Sequence, residues 1–84
     1  MGRSPRTGPK RLGIKLKRIR KWLELSQVGM CKELGFKTVL PGHISEYERG
    51  KRLPPYLVLL KYARIAGCST DLLIDDKLDI FPNG

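Results

Sequence analysis

The chain has 84 residues, 17 of them Lys or Arg and 8 Asp or Glu, for a formal net charge of +9. That length allows one small domain around one modest core, and that charge seeks a polyanion, nucleic acid ahead of an anionic membrane surface. Two cysteines exclude a disulfide framework, and Cys31, Cys68 and His43 match no metal-ligand spacing, so buried thiols are expected and neither metal nor cofactor.

The cations crowd at one end. Residues 1–22 carry Arg3, Arg6, Lys10, Arg11, Lys15, Lys17, Arg18, Arg20 and Lys21 and no acid. Residues 71–84 carry Asp71, Asp75, Asp76 and Asp79 against Lys77 alone. Residues 1–11 hold Gly2, Pro5, Gly8 and Pro9 among these cations and predict a flexible basic arm. No apolar run approaches a membrane span, no signal-type apolar segment follows the basic first residues, and Arg6 stands where a myristoylation signal needs Ser or Thr. The expectation is a cytoplasmic protein with no membrane partner.

From Leu12 the spacing becomes helical. Leu12, Leu16, Ile19 and Leu23 share one face, with Lys15, Lys17, Arg18 and Lys21 expected opposite, and the helix is expected to end near Glu24. Ser26 is a good N-cap for a second helix, Gln27 to Leu34, with Met30, Cys31 and Leu34 inward and Gly35 as its stop. Pro41 suits the first position of a third helix, expected to run to about Arg49, with Ile44 and Tyr47 inward and Gly50 as the stop. Pro55 can open a fourth helix with an expected stripe of Tyr56, Leu59, Leu60, Ala63 and Ala66, ended by Gly67. Ser69 is expected to cap a short fifth helix through Leu72, Leu73 and Ile74. Five short helices without a strand signal predict an all-α bundle, with the domain at 12–75 and an acidic C-terminal tail at 76–84.

Two helices joined by a glycine turn in a basic domain suggest a helix-turn-helix. The particular residues sharpen this: Leu25-Ser26-Gln27, Leu34-Gly35, the run Ile44-Ser45-Glu46-Tyr47-Glu48-Arg49-Gly50-Lys51-Arg52, Pro54, and Ala63 four residues before Gly67. Over about residues 12–75 the chain resembles the phage repressor and Cro family, the Xre-type regulators. The resemblance implies the compact five-helix bundle of the lambda-repressor-like kind, double-stranded DNA as partner, and the third helix in the major groove.

It also implies roles. Gln27 at the start of the second helix would reach a phosphate, or serve only as a helix-start residue. Lys51 and Arg52 would hold phosphates beyond the third helix, and Lys37 and Thr38 on the turn would add others. Arg20 and Glu48 match family positions that form a partly buried ion pair. The chain departs from the pattern in its turn, with eight residues between Gly35 and Ile44, longer than is usual in the family. Pro41 and Gly42 also stand where bases are normally read, and neither has a side chain that can hydrogen-bond to one. His43, Ser45, Glu46 and Arg49 remain as base-contact candidates, Glu46 as an acceptor for cytosine N4.

No nucleophile–base set, paired carboxylate or phosphate loop appears, so a regulator without catalysis is expected. A homodimer on a palindromic site is compatible with it. A protein-interaction module of the antitoxin type is the alternative, with Leu72, Ile74, Leu78, Ile80 and Phe81 as the expected contact surface and the C-terminal tail as the route to a protein partner. General phosphate binding, to RNA or a membrane surface, is a third option.

Overall fold

A computed structural model of the chain describes residues 9–80. Most of the expected basic arm, and Phe81, lie outside the described residues. Five helices follow in order: α1 Leu12–Trp22, α2 Gln27–Leu34, α3 Pro41–Glu48, α4 Tyr56–Ala66 and α5 Thr70–Ile74. No strand occurs among the described residues. Leu16, Ile19, Met30, Ile44, Tyr62 and Leu73 are fully enclosed at the centre, so every helix contributes to one core.

The helix ends follow backbone chemistry. Ser26 Oγ accepts from Gly29 N at 2.9 Å, and Gly35 ends α2 with φ 76°. After α3, Gly50 takes φ 73° and two carbonyls are satisfied, by Gly50 N to Tyr47 O at 3.2 Å and Lys51 N to Glu46 O at 2.8 Å. The same pair of hydrogen bonds, from Glu24 N to Lys21 O and from Leu25 N to Arg20 O, closes α1, but there the left-handed residue is Glu24, φ 61°. It begins two residues after the last helical residue, so α1 stops slightly short of the expected end. Ser69 makes no side-chain cap to α5, contrary to expectation.

Three further expectations are corrected. Lys15, assigned to the solvent face of α1, is buried. Its Nζ donates to Leu72 O at 2.7 Å and Asp75 O at 2.8 Å, at the C-terminal end of α5. The ammonium thus satisfies carbonyls that a helix end leaves open. Desolvation, then the nearby Arg11, lowers its pKa below the ordinary value. In α4 the buried residues are Val58, Leu59, Tyr62 and Ala63, while Tyr56 is 77% exposed. At 100° per residue the centre of that stripe lies about 90° from Tyr56, which therefore points past the edge of the core.

The third correction concerns the tail. The Asp76 carboxylate accepts from Lys10 N and Arg11 N, each at 2.9 Å, and so caps the start of α1. Arg11 Nη1 donates to Asp76 O at 2.7 Å, Arg11 Nη2 contacts Asp79, and Ile80 is buried in the core. Residues 10, 11 and 76–80 thus pack onto the bundle rather than trailing from it. Of the expected contact surface, Ile80 is core and Leu72 is partly buried against it, while Ile74 and Leu78 are exposed.

Candidate nucleic-acid interface

Helix α3 is held by backbone contact before any side chain is considered. Gly13 faces its C-terminal end, where an added Cβ would lie 2.6 Å from Glu48 O and 2.7 Å from Tyr47 O. Only glycine lets α1 approach so closely. Sequence reasoning missed this residue; its one signal was a glycine inside an otherwise strong helix pattern.

The second restraint is ionic. Arg20 Nε donates to Glu48 Oε2 at 2.6 Å and Arg20 Nη2 to Glu48 Oε1 at 3.0 Å, a bidentate fork with the carboxylate side chain 4% exposed. Arg20 Nη1 donates to Leu25 O at 3.0 Å, and Gln27 Nε2 to Glu48 Oε1 at 3.3 Å. One guanidinium therefore joins α1, the α1–α2 connection and the end of α3. The hydrogen bond to Glu48 raises the Arg20 pKa further above its ordinary value, against the desolvation that would lower it.

The lengthened turn is anchored too. Val39 is buried, its N–H donates to Phe36 O at 3.2 Å, and its carbonyl accepts from the Cys31 thiol at 2.9 Å. The extra residues fold into a plug instead of an open loop. Lys37 and Thr38 sit exposed on its outside.

With Ile44 and Tyr47 buried, the outer side of α3 presents Gly42, His43, Ser45, Glu46 and Arg49. These polar side chains are tethered. His43 Nδ1 accepts from Leu40 N at 3.1 Å, and the His43 ring lies 6.5 Å, centroid to centroid, from the Tyr47 ring. Arg49 Nε donates to Ser45 Oγ at 3.3 Å. Arg52 Nε donates to Glu46 Oε1 at 2.5 Å, which lowers the Glu46 pKa from its ordinary value. Arg52 and Glu46, expected to act separately on phosphate and base, are thus paired. Gln27 likewise points to Glu48 through its side-chain amide. Lys51 is exposed just past α3.

Among the described residues no three His, Cys, Asp or Glu side chains gather as metal ligands, and both cysteines are free thiols. No helix among the described residues is long and apolar enough to cross a membrane.

No curated protein matches the chain at a significant level. Among solved structures, the fold matches the P22 c2 repressor in complex with synthetic operator 9T, with a TM-score of 0.68 and 29% identity, covering 77% of this chain and 94% of that one. The profile of the helix-turn-helix family matches residues 16–73. That span holds α2, α3 and both restraining residues Arg20 and Glu48, and the chain belongs to the helix-turn-helix family, of the phage repressor and Cro type.

Proposed function

We propose that this protein is a DNA-binding transcriptional regulator that sets α3 into the major groove of double-stranded DNA, with no catalytic step of its own. The observation that carries the reading is the tethered polar row His43, Ser45, Glu46 and Arg49 on a helix locked from behind by the Arg20–Glu48 fork. A side chain whose rotamer is already held loses less entropy on meeting a base edge. The net charge of +9 supplies the sequence-independent attraction to phosphate. Its family and the operator-bound P22 c2 repressor support the same reading.

In this reading Lys51 and the free amino groups of Arg52 hold phosphates on one flank of α3, and Lys37 and Thr38 hold them on the other. Gln27 contributes its remaining donor. Glu46 Oε2 stays available to accept from a cytosine amino group, since Arg52 Nε occupies the other oxygen. Selection of duplexes from a random pool, followed by binding titrations across salt concentrations, tests the reading. A recovered consensus and a linear fall of log affinity with log salt are expected. Equal affinity for every duplex would remove the base-reading role of α3, and equal affinity for duplex DNA and RNA at fixed salt would remove DNA as the partner.

A further inference from the structure

The start of α3 sets the chemistry that its first reading side chain can offer. Leu40 is the N-cap, Pro41 follows at the first helical position, and His43 stands at the third. The Leu40 N–H is an obligate donor, and the group it meets is His43 Nδ1, at 3.1 Å. A neutral imidazole carries one ring hydrogen, so an accepting Nδ1 leaves the hydrogen on Nε2. Two contacts hold the ring: this bond, and the tilted Tyr47 ring with its centroid 6.5 Å away. Tyr47 is itself buried in the core. The ring is only partly buried, on the outer side of α3.

We infer that the bond from Leu40 N fixes His43 as an Nε2–H donor, which makes His43 the specificity residue for a guanine edge in the major groove. The inference rests on the DNA-reading role of α3 and gives that site its base. Guanine presents two acceptors, N7 and O6, side by side, whereas adenine sets an amino donor beside N7, thymine offers the single acceptor O4 beside a methyl group, and cytosine offers a donor alone. A single fixed donor is therefore accepted best by guanine, at N7 with O6 beside it. Glu46, three residues on and so on the same side of the helix, is the complementary acceptor. The pair reads a guanine beside a base bearing an amino group.

The test separates the cap from the donor. Glu at this position can still accept from Leu40 N but has nothing to donate, while Gln can do both. His43→Glu should fold at least as well as wild type and lose the guanine preference. His43→Gln should retain it. With the duplex selected by wild type, replacing one guanine by 7-deazaguanine should weaken wild type and His43→Gln by about five- to a hundredfold and leave His43→Glu unchanged. Nitrogen-15 NMR of the free protein at about pH 8, above the usual imidazole titration range, should show the hydrogen on Nε2. A hydrogen on Nδ1 overturns the inference, as does a consensus in which no 7-deazaguanine position separates wild type from His43→Glu. A wild type with no sequence preference overturns the reading role of α3 and this inference with it.

Discussion

Glu48 carries two loads at once: it ends α3 and receives the Arg20 fork in a nearly closed site. Breaking such a pair strands a charge and costs about 3–5 kcal/mol, although replacing both members by apolar groups can be neutral. Denaturant unfolding of Arg20→Met, Glu48→Leu and the double variant should therefore show two damaging single changes and a double variant less damaged than their sum. Additive losses would mean that the two charges do not act together. Glu24 carries a different strain, because it holds the left-handed C′ position that glycine fills after α2, α3 and α4. An L residue there costs about 1–2 kcal/mol, partly offset by the extra chain entropy of glycine. Glu24→Gly should raise the denaturation midpoint without altering DNA affinity; a lower midpoint would show that the side chain makes a contact worth more than the strain.

At the scale of the elements, the relation of α1 to α3 decides how the proposed reading helix would be offered. Gly13 makes that approach possible, and its neighbours there are backbone carbonyls that cannot swing aside. Alanine is the better helix former by about 1 kcal/mol, so propensity alone predicts that Gly13→Ala stabilises. The contact predicts the reverse. Overpacking of this kind costs about 1–3 kcal/mol, and α3 must shift to relieve it. Thermal unfolding and DNA titration should both worsen in this variant. Unchanged stability and affinity would mean that the two helices have room to part. On the reading side, Lys51→Ala should lower affinity for all duplexes alike and reduce the salt slope by roughly one unit. A changed consensus instead would make Lys51 a base contact.

Across the whole molecule, chain segments more than sixty residues apart are clasped by Arg11, Asp76 and Asp79. Hydrogen bonds from the Arg11 and Lys10 amides hold the Asp76 pKa below its ordinary 3.8, and the Arg11 side chain does the same for Asp79. Folded values below the unfolded ones mean stability that is present above about pH 4 and lost as pH falls through the depressed values. Both carboxylates are solvent-facing, so the effect is modest. Unfolding midpoints measured from about pH 5 down to pH 2 should fall less steeply for Asp76→Asn with Asp79→Asn than for wild type. Parallel curves would show that the clasp adds nothing to the fold. The same contacts join the basic end of the chain to the acidic end, whose charges looked separate along the sequence.

How much was legible follows from the range of each interaction. Periodic apolar residues, Ser26, Gly35, Gly50 and Gly67 act within one or two turns, so five helices and most of their ends could be read from the sequence. The motif around Ile44 to Arg52 located α3 and named Arg20 and Glu48 as partners through its resemblance to a family. Only the tertiary structure decided where Lys15 goes, because a lysine on a helix is drawn inward by carbonyls of α5 more than fifty residues away. The same holds for Gly13, whose reason is a backbone on another helix, and for Tyr56, whose exposure depends on where α4 meets the core. Residue types state what a side chain can do with its nearest neighbours in the chain. The burial of Ile80, the pairing of Arg52 with Glu46 and the bond that orients His43 depend on which surfaces meet in space, and packing settles that for all the helices together.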